Sequence, residues 1–240
     1  MEPVAEDWQR ALAIVAHPDD LEYGAAMAIA RWTAQGKEVV EVLATRGEAG
    51  VQSMPPEEVA PLRAAEQIEA ARRVGVETVE FLGFPDGMLE YGLPLRRELA
   101  RAIRRHRPEV VVSLNFRESF PGGPFNMADH RVLGEAVADA VRDAANPWVF
   151  RDLDEPAWGG VRFSLFANSP RAAHYVEVTD HLEKGLHALR AHKVYFDNLE
   201  SGGESGGEPA LAATEGMLRS ITAETGASAG VPHAVAFELI

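Results

Sequence analysis

The chain has 240 residues, 46% of them hydrophobic and 25% charged, the make-up of an ordinary soluble globular protein with room for one sizeable core. A formal net charge of −14 argues against non-specific binding to nucleic acid or to an anionic membrane surface. There is no cysteine, so disulfides and thiolate ligands are excluded and any metal must be held by His, Asp or Glu.

Short apolar runs alternate with amphipathic stretches along the chain. Residues 11–16 predict a first strand and residues 21–35 a helix, in which Gly24, Ala25 and Ala26 are small enough to pack closely on a sheet. Residues 37–45 (KEVVEVLAT) predict a second strand that runs into Arg46-Gly47-Glu48-Ala49-Gly50. The proline-containing residues 51–61 read as a loop, residues 62–74 as a helix, and residues 77–82 as a third strand closed by Gly83-Phe84-Pro85-Asp86-Gly87. Residues 95–106 form a basic helix and residues 109–114 a β-branched fourth strand.

Beyond Asp129-His130 a further helix runs to about residue 144. Residues 161–167 and 174–178 read as later strands, 180–199 as one long helix, 201–209 (SGGESGGEP) as a flexible glycine-rich insertion, and 234–240 as a closing strand. Neither an internal repeat nor a domain boundary is visible, so residues 1–240 read as a single domain. No apolar run reaches the ~18–20 residues of a membrane span and the first ten residues lack a signal-peptide pattern, which makes a cytoplasmic protein the expectation.

The alternation implies an α/β fold, a mostly parallel sheet covered by helices on both faces. In such sheets functional groups gather beyond the carboxyl ends of the strands. The stretch Ala16-His17-Pro18-Asp19-Asp20, the loop at Arg46–Glu48, Asp86, and residues 115–130 all follow predicted strands and so share one rim.

Crowding His17, Asp19 and Asp20 into one strand-to-helix turn is unfavourable unless a cation binds there. A divalent metal would take the His17 imidazole and the Asp20 carboxylate, with His130 as a third ligand from another loop of the rim. Zinc held by three protein ligands, with an open position for water, suits this cysteine-free donor set. Asp129 is placed to accept a hydrogen bond from an imidazole of the site. Asp19 is then free to act as general base, taking a proton from water and passing it to a leaving amine, which is the chemistry of amide hydrolysis. The plain alternatives are helix capping by the aspartates and a packing or surface role for His130. Neither a Gly-x-Gly-x-x-Gly nor a Gly-x-Ser-x-Gly pattern is present, which weighs against dinucleotide binding and serine hydrolysis.

These motifs resemble the zinc-dependent N-acetylglucosaminyl de-N-acetylases of the PIG-L/LmbE type. The likeness rests on Ala16-His17-Pro18-Asp19-Asp20, on Thr45-Arg46-Gly47-Glu48-Ala49-Gly50, on Arg63-x-x-Glu66, on Leu82–Gly87 and on Asp129-His130, with a weaker match at His192-Lys193. It implies a Rossmann-like three-layer sandwich, a Zn2+ cofactor held by His17, Asp20 and His130, Asp19 as base and proton donor, and Arg63 and Asp86 on the substrate. Arg46 and Glu48 are assigned to the substrate side with them. The implied partner is a small N-acyl amino sugar or related conjugate, and apolar positions in the C-terminal third leave a homo-oligomer open.

Two positions depart from the family pattern. Met127 stands where the family has the first His of its His-x-Asp-His motif, and Phe125 where an aromatic hydroxyl is common. Methionine donates no hydrogen bond, so oxyanion stabilisation must pass to another group, with Asn126, Asn115, Arg117 and His233 as candidates. A second reading follows, a metal- or ligand-binding protein that has lost turnover.

Overall fold

The computed structural model describes residues 1–199 and 206–240. In chain order its elements are β1 (Glu2–Pro3), β2 (Arg10–Val15), α1 (Asp20–Gly24), α2 (Ala26–Ala34), β3 (Glu38–Leu43), α3 (Pro56–Arg73), β4 (Thr78–Phe81), α4 (Leu93–His106) and β5 (Val110–Leu114). There follow α5 (Ala128–Ala145), β6 (Phe163–Ala167), β7 (His174–Glu177), α6 (Leu182–Leu189), α7 (Lys193–Asp197), α8 (Glu208–Ala229) and β8 (Ala234–Leu239).

The strands form one sheet in the order β1-β7-β8-β6-β5-β2-β3-β4. β4, β3, β2, β5 and β6 are parallel, and β8 is inserted antiparallel between β6 and β7. The apolar run Ala11–Val15 lies at the centre and is buried on both faces, as continuous apolar strands of parallel sheets are. One face carries α1, α2, α3, α6, α7 and α8, packed on Ala11, Ala13, Val15, Val39 and Leu43. The other carries α4 and α5, packed on Leu12, Ile14, Val40 and Val42. The fold is therefore a three-layer α/β sandwich. The parallel register sends the segments after β2, β3, β4 and β5 to one rim.

Several elements differ from the sequence expectation. The helix expected over 21–35 is two helices, broken at Ala25, whose φ of −131° leaves the helical region. The helix expected from residue 62 begins at Pro56, because a proline in the first turn gives up an N–H that has no intrahelical partner there. The long helix expected over 180–199 is interrupted at residues 190–192, where His192 turns its imidazole into the interior. Residues 201–205 of the expected glycine-rich insertion lie outside the described residues, and Glu208 and Pro209 open α8 instead, a helix the sequence reading lacked. Among the described residues no helix is long and apolar enough to cross a membrane.

Candidate active site

The turn after β2 is held open by hydrogen bonds that run backwards along the chain. Asp20 Oδ2 accepts from the backbone N–H groups of Ala16 and His17 at 3.0 and 2.9 Å. Asp19 precedes α1 but makes no side-chain cap to it, so the capping alternative does not describe this turn. Asp19 also adopts a φ of +82°, left-handed for a residue with a side chain, a conformation that costs about 1–3 kcal/mol and persists only where neighbours enforce it.

His130, the third residue of α5, reaches the same point from β5's side of the rim. Its Nε2 is 3.0 Å from Asp20 Oδ1, and its Nδ1 is 3.1 Å from Asn126 Oδ1. His17 turns Nδ1 toward Asp20 Oδ2 at 3.6 Å and Nε2 toward Asp86 Oδ1 and Asp129 Oδ2 at 3.1 and 3.2 Å. Ligand atoms of His17, Asp20 and His130 thus lie within 4.8 Å of one another, all buried. A second group, His17 with Asp86 and Asp129, meets the same distance. Both Asp129 oxygens accept backbone N–H groups, of Gly87 and Leu89, and Asp86 takes the Ala49 N–H on Oδ2 while Oδ1 faces His17, so this group orients the His17 ring. The first group offers two imidazoles and one carboxylate, the donor set zinc prefers. Each of its imidazoles has an acceptor behind the outer nitrogen, as metal-binding histidines require.

The electrostatics agree with a place built for a cation. Burial alone would lower the pKa of His17, but the Asp20 charge and hydrogen bonds to Asp129, Asp20 and Asp86 push it up to about 12. Burial alone would raise that of Asp20, yet the charges and hydrogen bonds of His130 and His17 hold it far below the carboxylate range. Asp19 differs. Burial pushes its pKa up to about 6 against the pull of Arg63 and His192. Arg63 donates to Asp19 Oδ2 at 2.8 Å and to the carbonyls of Pro18 and Gly47 at 2.8 and 3.0 Å. The glycines of Arg46-Gly47-Glu48-Ala49-Gly50 leave room for this guanidinium, since a Cβ at Gly47 or Gly50 would collide with its Nη1.

A cleft of about 1170 Å³ opens over these groups. His17, Asp19, Asp20, Arg63, Asp86 and His130 line its floor, and Phe120, Met127, Tyr23, Tyr195, Met217 and Ile221 form part of its walls.

The family described as PIG-L, GlcNAc-PI de-N-acetylase, matches residues 12–141, more than half of the chain. This stretch contains all four rim segments. The chain belongs to the PIG-L family. Among curated relatives, this PIG-L protein is 30% identical over 197 residues to the diacetylchitobiose deacetylase of Thermococcus kodakarensis, covering 79% of this chain and 71% of that enzyme. It is 28% identical over 251 residues to the 1D-myo-inositol 2-acetamido-2-deoxy-alpha-D-glucopyranoside deacetylase of Kineococcus radiotolerans, covering 91% of this chain and 62% of that enzyme. Among solved structures, N,N'-diacetylchitobiose deacetylase from Pyrococcus horikoshii, complexed with an inhibitor, superposes with a TM-score of 0.85 at 25% identity, over 98% of this chain and 85% of that one.

Not every residue expected in the site of this PIG-L protein faces the cleft. Glu48 accepts from the backbone N–H groups of Arg46 and Asp86 at 3.1 and 3.0 Å, tying two loops together away from the cleft lining. The Arg46 guanidinium lies 5.4 Å over the Phe81 ring. Neither residue lines the cleft. Asn126 spends both amide hydrogens on the carbonyls of Asn115 and Arg117 at 2.7 and 3.1 Å, which leaves none for an oxyanion. Asn115 donates to the Ser119 carbonyl, Arg117 is paired with Glu238, and His233 hydrogen-bonds Thr222 and Thr179 off the cleft lining. None of these four residues lines the cleft.

Sequence reasoning missed Tyr195. It stands on α7, lines the cleft, and lies within Coulombic reach of Asp19 and Asp20. Its hydroxyl makes no hydrogen bond among the described residues, and burial holds its pKa above the ordinary tyrosine value, so it remains an O–H donor at neutral pH. With residues 21–194 between it and the first motif, no spacing rule could pair them.

Proposed function

We propose that this protein is a zinc-dependent N-deacetylase that releases acetate from the nitrogen of an acetylated amino sugar. The observation carrying this reading is that buried His17, Asp20 and His130 converge within ligand range beside an Asp19 carboxylate held by Arg63 in the same cleft. Relatives acting on acetylated chitobiose and on an acetamido-glucopyranoside inositol point to the substrate class.

His17, Asp20 and His130 would hold the ion, and zinc bound there supplies a Lewis acid that polarises water and the amide carbonyl. The remaining steps belong to the protein's own groups. Asp19 takes the proton of the attacking water through its carboxylate and returns it to the amide nitrogen as the C–N bond breaks, so that a free amine and acetate leave. Arg63 fixes the carboxylate oxygen at 2.8 Å and keeps the anion available. Tyr195 donates to the carbonyl oxygen as negative charge develops there, the duty that Met127 and Phe125 cannot perform. Its presence in the cleft favours turnover over the non-catalytic reading.

The test is release of free amine from N,N'-diacetylchitobiose and N-acetylglucosamine conjugates by zinc-loaded protein. Wild type should turn over, while Asp19→Ala should retain about one zinc per chain and lose the activity. Activity in that variant equal to wild type would overturn the assignment of the base.

A further inference from the structure

One turn of α3 beyond Arg63, Gln67 reaches the same residue by a different route. It is fully buried, and its Oε1 accepts from the backbone N–H of Asp19 at 2.9 Å. Its amide nitrogen donates to Glu41 Oε2 at 3.0 Å. Arg63 and Gln67, four residues apart on one face of a helix, thus hold Asp19 by the carboxylate and by the main chain respectively.

The Asp19 N–H is the group that needs fixing. A left-handed φ of +82° turns this N–H away from its usual partners, and an aspartate relaxes out of that conformation unless something binds it there. Glu41 explains itself by the same chain of contacts. It lies in the middle of β3 between Val39 and Leu43, opposite Ala13 of β2, and is fully buried, where an apolar residue is the rule. One of its oxygens has no hydrogen-bond partner. The Asp19 N–H only donates, so it requires the Gln67 oxygen, and Glu41 Oε2, which accepts whether the carboxyl is neutral or charged, takes the Gln67 nitrogen on the other side. An apolar residue at 41 would let that amide turn over.

We infer that Gln67 is a positioning residue, oriented by Glu41, that locks the main chain of Asp19 in its left-handed conformation and so aims the Asp19 carboxylate into the cleft. This rests on the proposed deacetylase reading for its kinetic consequence, but the contact itself is independent of it. Misplacement of a reacting group by about 1 Å costs up to about a hundredfold in rate.

Gln67→Leu is expected to lower kcat by about 10- to 100-fold with KM and zinc content unchanged. Amide hydrogen exchange at residue 19, followed by mass spectrometry in the zinc-loaded protein, should accelerate. Glu41→Leu should reproduce both effects. The exchanged pair Glu41→Gln with Gln67→Glu preserves the charge, the donor and both acceptors, with Gln at 41 now donating to Glu at 67, and it should restore kcat and slow exchange together. Should Gln67→Leu fail to fold, the exchanged pair and Glu41→Leu carry the test alone. Wild-type kcat with unchanged exchange in Gln67→Leu or Glu41→Leu overturns the inference, as does an exchanged pair that folds and binds zinc yet stays slow. If wild type itself releases no amine, the deacetylase reading fails, while exchange at residue 19 still decides the role of Gln67.

Discussion

Asn126 Oδ1 lies 3.1 Å from His130 Nδ1, and the same side chain donates both amide hydrogens to the Asn115 and Arg117 carbonyls. One asparagine therefore fastens the loop after β5 and accepts from His130 Nδ1, so that Nε2, 3.0 Å from Asp20 Oδ1, is the nitrogen a bound cation would take. Asn126→Leu keeps the volume and removes the acceptor and both donors. Zinc affinity should fall about 10- to 100-fold in competition with a chelator, the usual effect of removing such a support. Unchanged affinity would show that the loop alone fixes His130.

On the proposed reading, His17 makes zinc uptake a proton-releasing event. In the cation-free protein its pKa is pushed up to about 12, so the imidazole is protonated at neutral pH, and a ligand must be neutral. Because this value is raised above the unfolded 6.5, the stabilisation it gives the cation-free fold is complete below pH 6.5 and declines as pH rises toward 12. Zinc affinity moves the opposite way and should strengthen with pH. Calorimetry in two buffers of different ionisation enthalpy should return about one proton released per zinc bound.

How much of this was legible in the sequence follows from where each residue sits. The His17, Asp20 and His130 set could be read because each side chain lies directly beyond a strand whose apolar run is unmistakable, and parallel strands bring such ends together. Asp86 could be placed at the rim for the same reason, but not its contact with His17. Where Asn126, Asn115 and His233 sit, off the cleft lining, could not be read, because residue type says nothing of which way a side chain turns or which hydrogens are already committed. Helix α8 escaped because Glu208 and Pro209 continue a glycine-rich run, and only Leu218, Thr222 and Gly226 of its 22 residues are buried, too few to print a helical period. Tyr195, in the cleft wall, and Gln67, bonded to the Asp19 N–H, meet the first motif only in three dimensions and carry no spacing signature.

Glu41 should make the fold sensitive to alkaline pH. Burial, with the Glu22 charge nearby, raises its pKa well above the ordinary glutamate value despite the hydrogen bond from Gln67. A carboxyl raised in the folded state is stabilising in its neutral form, so that contribution is present below the unfolded pKa and is lost as pH rises through the folded one. Glu41→Gln removes the titration while keeping an acceptor for Gln67. Its melting temperature should exceed that of wild type at pH 8, and the difference should shrink toward pH 4. A constant difference across that range would place the effect elsewhere.

Arg63 and Asp19 form a buried pair, with side chains 4% and 12% exposed at a separation of 2.8 Å. Removing one partner of such a pair costs about 3–5 kcal/mol, since the other charge is left without compensation. Arg63→Met should show that loss in denaturant unfolding. It should also move the acid limb of the rate profile upward, because burial raises the Asp19 pKa and the Arg63 charge opposes that rise. Lower stability with an unmoved acid limb would mean that Asp19 is not the group titrating in that limb.

Tyr195→Phe is the sharpest probe of the departure at Met127 and Phe125. The substitution removes one hydroxyl that no described residue engages, so folding stability and zinc content should stay at wild-type values. An oxyanion donor acts where charge develops, and losing one costs about 10²–10³ in kcat. The loss should fall on kcat with KM little changed, because the ground-state amide carbonyl accepts weakly. Histidine restored at position 127 in the Tyr195→Phe background should recover part of the rate, since Met127 lines the same cleft. A variant as fast as wild type would return the oxyanion to the metal site alone.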